Sequence, residues 1–242
     1  MTDWARHWIE FPLTCLPGDH LRQIGKTVGG QPISAAQVGV IADSIVGHLH
    51  LTAGDRLLDV CCGNGLLTRI LADHCAAATG VDFSPPLIAV ARRDHLAANI
   101  RYHLMSALAL DAPTLLAEGP FSRLLVYEAL QHFTPRDLDP LLDGLLALAA
   151  PRFRLLLGGI PDRRRKWRFY DTPRRRLDYL RRRLTGREAI GTWWDPATLA
   201  RAAARRGLAC RILPQDPRLH TAHYRFDVLI ENDAAPAEAA GV

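Results

Sequence analysis

The stretch that decides the fold is LLDVCCGNGLLTRIL, residues 57–71. Its first three residues form a short apolar run ending in an acid, Asp59, as a buried strand does when it reaches the edge of a sheet. Gly63 and Gly65 follow immediately before a helical pattern. Glycine there lets the backbone turn sharply and approach a ligand, and the start of the next helix offers N–H groups with no intrahelical partner. A lone Gly-x-Gly carries little by itself. Further on, a second strand ends in GVDFS (80–84) and places Asp82 about twenty residues past the glycine turn, the spacing at which an acid meets both hydroxyls of a ribose. Together, turn and acid indicate a nucleoside-containing cofactor.

Outward from this turn the chain alternates. Strand RLLDV is followed by helix LLTRILADHC, strand AATGVD, helix PPLIAVARRDHLA and strand IRYHLM. Strand SRLLVY, helix PRDLDPLLDGLLALAA and strand RFRLLLGG come next. Alternation at this spacing implies right-handed crossovers and a parallel sheet covered on both faces, so the expected fold class is a doubly wound α/β domain. Asp195 to Arg206 is expected to be a helix, and LACRIL and YRFDVLIE the last two strands. The expected organisation is an N-terminal helical cap over 1–51, a cofactor-binding domain over 52–232 with a basic helical lid inserted at 160–194, and a disordered tail at 233–242.

Composition sets the limits. The 242 residues are 48% apolar and 23% charged, enough for a sizeable core. No apolar run reaches the roughly 18 to 20 residues of a membrane span, and the opening MTDWARHWIEFP lacks the basic-then-apolar order of a signal peptide, so a soluble cytoplasmic protein is expected. Five cysteines match neither a disulfide framework nor a zinc site, and His48-x-His50 and His220-x-x-His223 lack further ligands at suitable spacing, so no metal is expected. The net charge of +5 conceals a segment, Asp162 to Arg187, with twelve basic and three acidic residues. Within it Thr172-Pro173 starts a helix whose Leu177, Leu180 and Leu184 share one face.

A nicotinamide dinucleotide site would carry a third glycine where this chain has Thr68. DVCCGNG instead resembles motif I of the class I S-adenosylmethionine-dependent methyltransferases, and GVDFS resembles their ribose-binding motif. The resemblance covers roughly residues 50–160 and extends to YRFDVLIE, which would be the antiparallel strand that completes a Rossmann-like, mostly parallel seven-stranded sheet. It implies S-adenosyl-L-methionine as cofactor, with Asp59, Gly63, Asn64 and Gly65 around the methionine moiety and Asp82 on the ribose. Phe83 and Ser84 would flank ribose and adenine, and Met105, Ser106 and Ala107 would follow the third strand toward adenine. Glu128 and His132, in YEALQHF (127–133), resemble the segment that faces the sulfonium in small-molecule methyltransferases.

His132 is the first candidate base, ahead of Glu128, His7, Tyr170 and His223, because a hydroxyl acceptor must lose a proton. Cys61 and Cys62 are taken as small buried residues of the turn. The basic segment follows the fifth strand at the carboxyl edge of the sheet, where open α/β proteins bind ligands, and this favours a substrate lid with Trp167, Tyr170, Trp193, Trp194 and Tyr224 as pocket wall. The expected function is methyl transfer to oxygen or nitrogen of a small molecule, in specialised-metabolite or sugar biosynthesis. An RNA-directed methyltransferase gripping its substrate with the basic segment is the less favoured alternative, because Tyr-Glu-Ala-Leu replaces the Asn-Pro-Pro-Tyr-like run of base-modifying members. A non-catalytic S-adenosylmethionine-binding protein is the third reading.

Overall fold

The computed structural model describes residues 3–185 and 188–232. In chain order its elements are α1 (Trp4–Glu10), α2 (His20–Gln23), a hairpin of β1 (Thr27–Val28) and β2 (Gln31–Pro32), and α3 (Ala35–Leu49). The alternating body follows with β3 (Arg56–Val60), α4 (Leu66–Leu71), β4 (Ala77–Asp82), α5 (Pro85–Asp94), β5 (Ile100–Leu104), α6 (Ala112–Leu116) and β6 (Phe121–Tyr127). Then come α7 (Leu138–Leu146), β7 (Ala149–Pro161), α8 (Lys166–Phe169), α9 (Pro173–Leu184), α10 (Pro196–Ala204), β8 (Ala209–Pro214) and β9 (Arg225–Asn232).

Seven strands form one sheet in the order β5-β4-β3-β6-β7-β9-β8. All neighbouring pairs are parallel except those made by β9, which runs antiparallel to both β7 and β8. The strand order reverses between β3 and β6, so their carboxyl ends part and leave a crevice, the place where open α/β sheets bind ligands.

Period-two alternation splits the strand residues between two cores. Leu58, Leu124 and Leu155 join α7 and α10 on one face, while Leu57, Leu125 and Leu156 join α3, α4 and α5 on the other. Both faces being covered, β3 is buried at every position but its first and shows no alternation of buried and exposed residues. The helix starts are fixed locally. Ser34 caps α3 by accepting from the Gln37 N–H, Thr172 caps α9 by accepting from the Arg175 N–H, and Asp195 caps α10 ahead of Pro196.

Four features differ from the sequence expectation. The α7 helix begins at Leu138, because Asp137 first closes a turn on the N–H and hydroxyl of Thr134. Strand β7 begins at Ala149, which pairs with Phe121, so the end of the expected helix belongs to the sheet. Helix α3, expected within the cap, packs on the sheet instead: Ile41, Ile45 and Leu49 are buried in the core. The leucine face of α9 points to solvent, with Leu177 and Leu180 each 49% exposed and Leu184 89% exposed, and Tyr179 is the buried residue of that helix. The expected tail at 233–242 lies outside the described residues. No described helix is long and apolar enough to cross a membrane.

Gly65 sits at φ +78°, and a Cβ there would stand 2.5 Å from the Tyr102 hydroxyl. Gly65→Ala should therefore cost about 1–3 kcal/mol or more and lower the melting temperature. Gly39→Ala, inside α3 with open space around it, should raise stability by up to about 1 kcal/mol. Thermal melts of the two variants against the native chain check both signs.

Candidate functional site

Beneath the cap, at the β3/β6 crevice, lies a cavity of about 570 Å³. Its floor is built by strand ends. The Asp82 carboxylate, at the end of β4, accepts the Gly63 N–H and the Ser84 N–H, each at 2.9 Å, and so joins the β3 turn to the β4 turn. Each oxygen keeps a further lone pair, and the residue lines the cavity. Burial raises the Asp82 carboxyl above its ordinary range against the pull of these N–H groups.

Asp59 also lines the cavity and accepts the Thr68 hydroxyl at 2.6 Å. Burial pushes its carboxyl up to about 7, with Thr68 and Lys26 pulling the other way. The neighbouring Cys61 and Cys62 thiols are likewise pushed well up by burial, which keeps both protonated and poorly nucleophilic.

The other wall comes from the segment after β6. Glu128 adopts a left-handed backbone, φ 51°, at the end of β6 and lines the cavity. Gly159 faces it, and a Cβ there would run into the Glu128 Cγ. Across the cleft, Lys26 Nζ donates to Glu128 Oε2 at 2.7 Å. Burial alone would raise the Glu128 carboxyl, but Lys26 and Arg225 outweigh it and hold the group at about 2, so the carboxylate is ionised at physiological pH. Arg225, 7% exposed, donates to the Gly159 carbonyl and to Gln131.

His132 stands between two tryptophans of α1, its ring centroid 4.4 Å from that of Trp4 and 5.4 Å from that of Trp8. Trp8 Nε1–H donates to His132 Nε2 at 3.3 Å, which places the ring proton on Nδ1, and Nδ1 finds no acceptor among the described residues. Burial, followed by Arg225 and His7, lowers His132 to about 3. The ring is neutral across the physiological range.

Of the residues expected at the site, the cavity brings together Asp59, Gly63, Asp82, Phe83, Ser106, Ala107, Glu128 and His132. Others stand behind it. Gly65 starts α4, Met105 accepts the Asp111 N–H on its sulfur, and Asn64 and Ser84 turn toward the cap. Asn64 Nδ2 donates to the His20 carbonyl and to Gln23 Oε1, and the Ser84 hydroxyl donates to the Trp8 carbonyl.

The aromatic wall expected from the lid is elsewhere. Tyr170, Trp193 and Tyr224 pack with Tyr179 into a small core of their own. Trp194 sits in the main core with its indole N–H on the Leu130 carbonyl, and Trp167 is half exposed. The lid gives the main cavity only Ala189 and Ile190 among its described residues, and Tyr224 lines a smaller recess behind it. The aromatic wall comes instead from Trp4, His7 and Trp8. The signal for it was the density of aromatic residues in WARHW; for Lys26 and Arg225 no motif existed. Among the described residues no three His, Cys, Asp or Glu side chains converge as a metal site.

Residues 57–152 match a family model described as a methyltransferase domain. A ubiquinone biosynthesis O-methyltransferase of Xylella fastidiosa is 36% identical over 110 residues, which are 45% of this chain and 43% of the relative. A demethylmenaquinone methyltransferase of Thermus thermophilus is 31% identical over 111 residues, 45% of this chain and 49% of the relative. These alignments thus span less than half the length of either curated relative. Among solved structures, the magnesium protoporphyrin IX methyltransferase of Synechocystis with bound S-adenosylhomocysteine superposes with a TM-score of 0.64 at 16% identity, over 94% of this chain and 97% of that one. A methyltransferase of Anabaena variabilis gives a TM-score of 0.61 at 16% identity, over 96% of each chain. The fold is that of the class I methyltransferases.

Asp59 supplies a test of the site's electrostatics. Its folded-state value of about 7 exceeds the ordinary 3.8, so the folded state loses stability as pH rises from about 4 through 7. Asp59→Asn keeps an acceptor for Thr68 and removes the buried charge. Its melting temperature should exceed that of the native chain by a wider margin at pH 8 than at pH 5.

Proposed function

We propose that this chain, a class I methyltransferase fold with its methyltransferase domain at residues 57–152, transfers the methyl group of S-adenosylmethionine to an oxygen or nitrogen of a small molecule. The observation that carries the reading is Asp82, a buried carboxylate locked to the Gly63 turn and still facing the cavity. Its free lone pairs suit the two hydroxyls of a ribose. Phe83, Ser106 and Ala107 supply the adenine side, and Asp59 and the Gly63 turn the methionine side. The volume falls within the range of about 300–1,000 Å³ typical of small-ligand sites. When bound, the cofactor supplies an electrophilic methyl on a cationic sulfur.

The protein's contribution is then to orient the acceptor in line and exclude water, which α1 does by covering the cavity with Trp4 and Trp8. The geometry favours a different role for His132 from the base expected above. With Nε2 engaged by Trp8 and basicity lowered by burial, the neutral ring is suited to donating from Nδ1 to an acceptor oxygen. Glu128, ionised and held by Lys26, sets the orientation of the cleft wall. The relatives' names refer to quinone and tetrapyrrole small molecules, which supports the small-molecule class over RNA, and specialised metabolism in the cytoplasm is the setting proposed. The arginines of α9 do not line the cavity, which supports an acceptor held by the cavity wall rather than by the basic helix.

Two variants test this. Asp82→Ala should weaken S-adenosylmethionine binding by up to about 10²- to 10⁴-fold, the loss of two charge-assisted hydrogen bonds at roughly 1.5–3 kcal/mol each, and calorimetry reading an unchanged affinity sinks the ribose assignment. His132→Ala should raise the acceptor KM more than it lowers kcat, and the native kcat profile should show no histidine break between about pH 6 and 8. A drop in kcat of about 10² or more together with such a break would restore His132 as the base. Cofactor binding without transfer to any fraction of an extract would instead favour the non-catalytic reading.

A further inference from the structure

Charges of both signs line the cavity. Asp59 and Asp82 line it beneath the Gly63 turn, and Lys26 and Arg225 line it together with Glu128, each of these two acids and two bases more than nine-tenths buried. A second recess of about 190 Å³ adjoins it, and Lys26, Glu128, Ile190 and Arg225 line both spaces. Two cations there face one carboxylate, Glu128. Asp227, two residues along β9, lines neither space and is occupied by the Gly159 N–H and Gln215. His220, on the recess wall, is lowered by burial, and the lining of the recess is therefore net positive at neutral pH.

The hydrogen-bond inventory leads the same way. The Lys26 ammonium has three N–H groups and directs one to Glu128. Arg225 has five N–H groups; Nη1 serves Gly159 and Gln131, while Nε finds no partner among the described residues although it is buried. A buried guanidinium N–H without an acceptor is costly, and such sites are completed by a ligand or water. The Arg225 side chain that carries it lines the cavity, to which Trp4 and Trp8 also contribute.

We infer that the methyl acceptor is a planar molecule bearing a carboxylate, which docks against Arg225 and Lys26 where the cavity and the recess share their lining. This rests on the methyltransferase reading and narrows its substrate class. The carboxylate accepts the unmatched N–H groups of Arg225 and Lys26 and balances the surplus cation. Arg225 offers the planar fork that a carboxylate matches, and Lys26 a second point charge. Neutral amide or ester analogues of the same shape cannot balance the charge, so the pair discriminates by ionisation rather than by size.

Calorimetry on the full chain tests this with matched probes: hydroxybenzoate and hydroxycinnamate acids against their primary amides, each titrated into protein saturated with S-adenosylhomocysteine. Acids should bind about tenfold or more tighter than their amides. The ratio should collapse toward one in Lys26→Met and persist in Lys26→Arg, and because it is taken within each variant it tolerates some loss of stability. Equal binding of acid and amide, or binding of neither, overturns the carboxylate site while leaving the methyltransferase reading intact. Failure of S-adenosylhomocysteine itself to bind overturns that reading, and this proposal with it.

Discussion

The Asp82 carboxylate is the point to which the site is tied. A buried acid at the end of β4 takes N–H groups from Gly63, nineteen residues earlier, and from Ser84, two residues later. Those groups open the turns above two adjacent parallel strands, and parallel strands have no hairpin to fix the relation between their carboxyl ends. The carboxylate supplies the missing crosslink. From the same turns, Ser84 and Asn64 reach out to the cap. The floor of the cavity, the turn beside it and the cover above it thus form one hydrogen-bonded unit, and the strained backbone of Cys61 and Glu128 flanks it at the ends of β3 and β6.

The alternating body was legible because its signals are local. RLLDV, AATGVD and the strands after them, β7 apart, lie within a residue or two of their expected places, since apolar runs bounded by glycine, proline and acid carry their own limits. Thr172 and Asp195 likewise announced the helices they cap. Helix α3 was legible as a helix but not as part of the core: its apolar stripe says that one face is buried, not against which layer. The start of β7 at Ala149 was hidden because alanine suits the end of α7 as well as it suits a strand, and pairing with Phe121 decides between them.

The site divides along the same line. Residues inside the two turns were identifiable from spacing. Lys26, and its pairing with Glu128 102 residues away, was not, because nothing in either neighbourhood refers to the other. The tryptophans of the lid misled for a related reason. Aromatic residues suit a pocket wall and a small core equally well, and a lid inserted between β7 and α10 needs a core to hold its shape. Tyr170, Tyr179, Trp193 and Tyr224 provide one, with Lys166 Nζ 3.8 Å from the Tyr179 ring centre. The wall was free to come from the amino terminus instead.

The way the cap is fastened bears on how such a protein diversifies. Ser84 and Asn64 hold it by the main-chain carbonyls of Trp8 and His20, which exist whatever side chains those positions carry. Attachment and lining are therefore separate properties of the cap. Selection can exchange the rings at positions 4, 7 and 8, reshaping the enclosure, without loosening these main-chain fastenings or disturbing the Gly63 turn beneath. A lineage built this way can change what the cavity admits by altering one short helix while the floor below stays as it is.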